Sequence, residues 1–357
     1  MPSRSRRALL AAVGTGFAGG LAGCSARIGD LSTAQTGPNE FDVGPIYVAD
    51  GVPLPDGADP QTVEDPAAGR VALFPSNGFD PSEFDRSEPL AALRGATPVV
   101  IVGRNAQAPL MDLCAADGRP YGFASNSWGP DTRVAAAVPL EDSLVTHVFE
   151  GAEVPSGLAG AADTVLNPPR TACAVDTELS DRPSGFDEGA RTLGASYVHG
   201  RNDVAAFTRR DAVRVVSNAD RTHVELELRG TIRGGESAGG DGAYDADQVR
   251  LVASFDDDVR STAPPAGETA GLAVRRVAEE TDDAVDHRFT QAGDGVRPEF
   301  TACQRSLVTM AEAPDPFSYV GNARFRWRNR RVLREDDLWH HHTPGRAVWY
   351  PDGGGSA

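Results

Sequence analysis

The stretch Thr222–Arg233, THVELELRGTIR, decides the fold class. Val224, Leu226 and Leu228 alternate with His223, Glu225, Glu227 and Arg229. Successive side chains of a strand point to opposite faces, so this pattern predicts a strand with one face buried and one in water. A helix would scatter the same residues around its circumference. The neighbouring segments repeat the signal. ASYVHG (195–200), VAAFTRR (204–210), AVRVVS (212–217) and QVRLVASFD (248–256) all read as strands, and ARFRWRNRRVL (323–333) sets Phe325 and Trp327 against arginines. Residues 190–351 are therefore expected to form an antiparallel β-rich, sandwich-like domain. Within it GGESAGGDGAYD (234–245) reads as a flexible loop, and 352–357 as a tail.

Upstream, the rhythm changes. RVALFP (70–75) and TPVVIVG (97–103) are short apolar runs bounded by turn residues, as buried strands tend to be. Between them SEPLAALRG (87–95) has a candidate N-cap at Ser87 and a terminal glycine, which predicts a short helix. NAQAPLMDLCAADG (105–118) predicts a second helix, ending at Gly118. PYGFAS, RVAAAVPL and SLVTHVFE read as strands, and GLAGAADTVLN (157–167) as a helix halted by Pro168-Pro169. Residues 44–168 are thus expected to be a three-layer α/β domain with a mostly parallel sheet, joined through a linker at 169–189. The fold class overall is α+β.

Residues 1–23 are not expected to belong to the fold. Arg6-Arg7 precede an uncharged, glycine-rich run from Ala8 to Gly23 that is shorter and less apolar than a membrane span. A basic start, a modest apolar middle and a small-residue end are the anatomy of a secretory signal. Ser5-Arg6-Arg7-x-Leu9-Leu10 resembles a twin-arginine export signal, and Leu21-Ala22-Gly23-Cys24 resembles a lipobox. These resemblances imply cleavage before Cys24, lipidation of Cys24 and export to the outer face of the cell membrane. Residues 24–43 then read as a polar tether.

The chain has 357 residues and a formal net charge of −17, and all 34 of its basic residues are arginine. Removing residues 1–23 takes away Arg4, Arg6 and Arg7 and no acid, leaving −20. Acid excess without lysine resembles the proteins of salt-loving archaea, whose medium screens self-repulsion. The same balance argues against a nucleic-acid partner. With Cys24 assigned to lipid, Cys114, Cys173 and Cys303 remain, an odd number. One disulfide with a free thiol and three unpaired buried cysteines both fit.

Candidate chemistry is sparse. Asn126-Ser-Trp-Gly-Pro130 resembles the segment that carries the orienting asparagine of papain-like cysteine proteases, but Cys114 lies only twelve residues before it and no histidine stands between. Ligands of open α/β sheets sit at strand-end loops, which here are PSNGFD (75–80) and GRNAQA (103–108). Asn77, Arg104 and Asn105 are the candidate ligand-binding residues, with backbone N–H groups at the helix start available to an anion. Neither loop has a G-x-G-x-x-G or a P-loop lysine. In DDLWHHHTPGR (336–346), His340 and His342 share one face of a strand. With Asp337 they form the candidate divalent-metal site, the further ligands to be sought among His199, His223, His287 and Cys303. No cofactor is otherwise expected. The acidic runs FDDD (255–258) and EETDDAVD (279–286) lack EF-hand spacing and read as solvated faces.

The functional expectation is a lipid-anchored extracellular surface protein with a binding or assembly role. Its partners would be the membrane, through the lipid, and other surface proteins or a small ligand. The alternative is a secreted-side hydrolase or metal-dependent enzyme.

Overall fold

In the computed structural model the described residues are 41, 43–77, 84–124, 132–168, 189–201, 205–217, 221–235, 243–256, 260–262, 268–269, 271–277, 284–292, 298–310, 316–329 and 338–353. The export-signal residues Arg6 and Arg7, the lipidation candidate Cys24, the Asn126–Pro130 segment, Cys173 and Asp337 lie outside them.

Eighteen strands among the described residues form two sheets. In chain order the first strands are β1 (Ile46–Val48), β2 (Thr62–Val63), β3 (Ala72–Pro75), β4 (Val99–Val102), β5 (Tyr121–Phe123), β6 (Val134–Pro139) and β7 (Leu144–Glu150). Next come β8 (Arg191–Arg201), β9 (Ala206–Ser217), β10 (Thr222–Arg233), β11 (Tyr244–Ser254), β12 (Arg260–Thr262), β13 (Glu268–Thr269) and β14 (Leu272–Arg276). The last are β15 (Ala284–Gln291), β16 (Glu299–Met310), β17 (Phe317–Asn329) and β18 (Leu338–Tyr350). Among the described residues three α-helices accompany them, α1 (Ser87–Arg94), α2 (Gln107–Asp117) and α3 (Leu158–Leu166), with one turn of 3-10 helix at Pro66–Ala68.

One sheet has eleven strands in the order β12-β16-β10-β9-β8-β7-β6-β4-β3-β1-β2, and the other has seven in the order β13-β14-β15-β11-β17-β18-β5. The long C-terminal strands pair antiparallel, β10 lying between β9 and β16 over its whole length. Val224, Leu226 and Leu228 face the seven-stranded sheet and are fully buried, as their alternation predicts. VAAFTRR and AVRVVS, read as two strands, belong to one, β9, which runs through Asp211.

The expected three-layer α/β domain with a mostly parallel sheet is corrected. β1, β2, β3 and β4 do pair parallel, but β6 adds antiparallel to β4 and β7 antiparallel to β6. β7 then pairs parallel with β8, so these strands continue the same sheet as the C-terminal ones. On the other layer β5 pairs with the last strand, β18. The physical reason is that a short apolar run such as VVIV is compatible with either strand direction, and periodicity does not name its neighbour. The protein is mainly β, with large antiparallel sheets.

The two ends of the eleven-stranded sheet are covered differently. Around β3, β4, β6 and β7, helices α1 and α2 pack on one face through Leu93, Leu110 and Leu113. On the other face α3 packs through Leu158, Ala162 and Val165. Around β8, β9, β10 and β16 the face continuous with α1 and α2 is covered by the second sheet, in a core containing Phe325, Trp327 and Trp349. Aromatic burial of this size dominates such a core. Gly122 on β5 lets Trp349 lie flat against the strand, since a Cβ there would sit 2.2 Å from the indole. Helix α1 is capped by Asp85, whose carboxylate accepts the Ser87 N–H at 2.9 Å, rather than by Ser87 itself. Gly118 closes α2 in a left-handed conformation (φ 89°), as its position predicts.

The core between the sheets contains a charged group. Arg209 and Asp211 both point inward from β9 and are fully buried. Arg209 Nε donates to Asp211 Oδ1 at 2.9 Å and its Nη1 donates to the Thr343 carbonyl at 2.9 Å. The Tyr319 hydroxyl donates to the Asp211 carboxylate from the opposite sheet. Gly321 makes room for the guanidinium, since a Cβ there would lie 2.2 Å from Nη2. This ion pair joins the two sheets with its hydrogen-bonding capacity largely used.

Of the cysteines, Cys303 on β16 is disulfide-bonded. Cys114, buried in α2, is free, and burial together with the Asp117 charge pushes its thiol well up. It is therefore no nucleophile.

Candidate functional site

The parallel pair β7 and β8 is joined by a crossover containing α3, and their shared C-terminal ends are where an α/β unit presents a ligand site. Register places His147 opposite Tyr197 and Phe149 opposite His199, on the face that α3 covers. The four rings stack: His147 on Tyr197 with centroids 4.7 Å apart, and Phe149 on His199 at 4.8 Å. His147 Nδ1 lies 3.0 Å from His199 Nε2, and His199 Nδ1 lies 3.3 Å from Thr208 Oγ1. Burial lowers the pKa of His147 to about 3 and that of His199 well below the ordinary value, with the His147 and Arg233 charges adding to the latter. Both imidazoles are therefore neutral at physiological pH.

Beyond this stack a cleft of about 260 Å³ opens between α3 and the ends of β8, β9 and β10. Its floor is His199, Gly200 and Phe207; its sides are Asp163 and Asn167 from α3 and Arg201 and Arg233 from the sheet. Asn167 Nδ2 donates to Asp163 Oδ1 at 2.9 Å, which fixes both along one side of α3. Gly160 lines the cleft with open space where a Cβ would project. Arg233 Nε stands 3.1 Å from Glu299 Oε2. Arg201 is half-buried, and burial first and the Arg233 charge second push its pKa down. Two guanidinium groups so placed favour an anion between them. Nearby, His341 Nε2 meets Glu150 Oε2 at 3.0 Å and its ring stacks on Phe207 at 4.2 Å.

The residues singled out from sequence lie elsewhere. The loops carrying Asn77 and Arg104-Asn105 are adjacent, Ser76 Oγ donating to the Arg104 carbonyl at 2.9 Å. Asn77 and Asn105 both have positive φ, 51° and 56°. However, the Gly103 and Ala106 N–H groups donate to the Arg133 and Thr132 carbonyls. Those amides serve the fold and are not open to an anion. His340 and His342 do share one face of β18, exposed, but they stand opposite Arg326 and Arg324. Burial and those arginine charges lower both imidazoles, His342 to about 4. A divalent cation there would meet guanidinium groups. Among the described residues no three His, Cys, Asp or Glu side chains come together as metal ligands. Of the further ligand candidates, His199 joins the ring stack, while His287 points into the sandwich beside Gln304. Gly235-Glu236-Ser237-Ala238-Gly239 has the spacing of a hydrolase nucleophile elbow. It stands between β10 and β11 in the chain, and its residues 236–239 lie outside the described residues.

Sequence reasoning did not assemble the cleft. The available signal was VTHVFE and SYVHGR, each with a histidine two residues from an aromatic on the same strand face.

No family model matches this chain, and no curated protein matches it. Among solved structures it is similar to a pore forming protein at 5% identity, over 42% of this chain and 86% of that one, with a TM-score of 0.25. A cohesin module from a Clostridium perfringens family 33 glycoside hydrolase matches at 9% identity, over 34% and 84%, with a TM-score of 0.22. An uncharacterized protein from Nocardia farcinica with an immunoglobulin-like fold matches at 14% identity, over 33% and 72%, with a TM-score of 0.20. At these scores the likenesses transfer neither fold nor function.

Proposed function

We propose that this chain is an exported, lipid-anchored surface protein that binds a small anionic solute in the cleft between α3 and β8–β10. The observation that carries the reading is the half-buried Arg201 held beside Arg233, with Asp163 and Asn167 facing them across the cleft. Such a set recognises an anion that also offers a hydrogen-bond donor. Binding is favoured over catalysis because both ring nitrogens of His199 are engaged, with His147 and with Thr208. The signal-like residues Arg6 and Arg7 and the lipobox-like Leu21–Cys24 support display at the outer membrane face.

Calorimetric titration of the mature chain with inorganic phosphate and with citrate tests the cleft. Saturable binding that Arg201→Ala weakens at least tenfold supports the reading; binding indifferent to Arg201→Ala overturns it. For the anchor, Cys24→Ser is expected to yield a soluble product without lipid mass. If that variant stays in the membrane fraction, the anchoring half of the proposal is wrong.

A further inference from the structure

One cross-strand row runs along the sheet side of the cleft. Arg201 on β8, Ala206 on β9 and Arg233 on β10 stand directly opposite one another, and all three line the cleft. Neighbouring strands lie about 4.8 Å apart, so the two arginines leave the sheet about 10 Å apart with only a methyl group between them. Arg233 is already paired, at 3.1 Å, with Glu299, the next residue of the row on β16. The Arg201 side chain makes no ion pair or hydrogen bond among the described residues. Its guanidinium is the open cation of the row.

Thr208 is the next residue of β9 on the same face as Ala206, and it also lines the cleft. Its register partner on β8 is His199. A chain of polar atoms ends on it: His147 Nδ1 to His199 Nε2 at 3.0 Å, then His199 Nδ1 to Thr208 Oγ1 at 3.3 Å. At the other end His147 Nε2 is buried and has no hydrogen-bond partner among the described residues. Each neutral imidazole carries one N–H and one bare nitrogen, so two directions are open to the chain. With the hydrogens pointing inward, Thr208 donates to His199 and His199 Nε2 donates to His147 Nδ1. The last hydrogen then sits on His147 Nε2 as a buried donor without an acceptor. With the hydrogens pointing outward, Nδ1 of each ring carries the hydrogen and the buried end is a bare ring nitrogen. Orphaned buried N–H groups are rarer in folded proteins than under-satisfied acceptors, and each costs the desolvation of a donor. The buried end therefore favours the outward direction. Thr208 Oγ1 then accepts from His199, and its own hydrogen has no acceptor among the described residues.

We infer that the Thr208 hydroxyl donates to the ligand, and that the group it meets is an oxyanion, a carboxylate or a phosphate, seated over Ala206 against Arg201. The inference rests on the cleft reading above and adds to it the class of group bound and the residue that orients it. A hydroxyl hydrogen beside a guanidinium offers donors alone, which select an unprotonated oxygen. A neutral amide or alcohol would accept from Thr208 and leave the Arg201 charge unmet. His147 and His199 exchange no proton with the ligand; they are positioning residues that act through Thr208.

NMR of the imidazole nitrogens in the ligand-free mature chain reads the direction. The outward chain predicts a protonated Nδ1 and a bare Nε2 on both His147 and His199. A proton on Nε2 of either ring would mean that Thr208 or the buried end is oriented the other way, and overturns the inference. Calorimetric titration with inorganic phosphate and with citrate reads the contact and separates a phosphate ligand from a carboxylate one. Thr208→Val keeps the shape and loses the hydroxyl; it is expected to weaken binding about tenfold, the low end for a hydrogen bond to a charged group, and Thr208→Ser to stay within about twofold of the parent. Equal affinity in the valine variant and the parent overturns the inference. Both variants are checked as folded by circular dichroism, and if the valine variant does not fold, the tautomers of the parent still decide. Binding that depends on Arg201 but not on Thr208 removes this inference and leaves the cleft reading standing, whereas binding of neither probe removes both.

Discussion

Inside the sandwich and on the outer face of the seven-stranded sheet, arginine is used in opposite ways. Arg209 is fully buried, with Asp211, Tyr319 and the Thr343 carbonyl around it. The outer arginines Arg275, Arg288, Arg250 and Arg324 stand opposite one another in cross-strand register, Asp286 accepting from Arg250. The first arrangement satisfies a buried charge, which a folded state requires. The second stacks like charges, which a folded state resists. The difference separates a charged group that the fold needs from charges that the sheet should tolerate losing.

Removing one partner of the inner pair is the most severe way to probe this contrast. Asp211→Ala leaves Arg209 uncompensated and is expected to lower unfolding free energy by about 3–5 kcal/mol in chemical denaturation. Replacing both, Arg209→Met with Asp211→Leu, is expected to recover most of that loss. Tyr319→Phe deletes the hydroxyl donated to Asp211 and is expected to cost about 1.5–3 kcal/mol, the range for a hydrogen bond to a charged group.

The outer face of the eleven-stranded sheet is intermediate. Glu227 there is contacted by Arg229 (2.6 Å), Arg210 (2.7 Å) and Arg305 (3.1 Å). Burial alone would raise its pKa, but the three arginines outweigh burial and hold it below the ordinary value of 4.5. Because the folded-state value is depressed, this contribution is full above the unfolded value and is lost as pH falls through the folded one. Stability should therefore decline as pH drops below about 4.5, and Glu227→Gln should flatten part of that decline. At neutral pH the substitution is expected to cost about 1 kcal/mol. Smallest of all, Arg288→Gln in the outer line is expected to leave stability unchanged or raise it by a few tenths of a kcal/mol, about the size of one like-charge cross-strand pair.

The strands were legible because burial follows a period of two: Val224, Leu226 and Leu228 announce their inward face from the sequence alone. So were the C-cap at Gly118 and the helices around Leu93 and Leu113, where apolar spacing and glycine act locally. What covers each sheet was not legible. VVIV at 99–102 reads identically whether its sheet ends there or continues through β7 and β8, and nothing near Tyr121 announces pairing with Tyr350. The cleft follows from that long-range pairing, since Phe149 and His199 become neighbours only when β7 and β8 align. The arginine line has the same origin. Each of its members reads as an ordinary outward residue, and only the register of five strands, set by distant backbone hydrogen bonds, puts them in one row.

The central claim is that the inner pair holds the fold and the outer arginine line does not, and one measurement addresses it directly. Denaturant unfolding of the Arg275→Gln/Arg288→Gln chain beside the parent, in the same salt, compares the line's worth to the fold. The account predicts equal or slightly greater stability for the double variant. A loss of more than about 1 kcal/mol, beyond what exposed charges ordinarily contribute, would show that the line is part of what holds the sheet together and would contradict it.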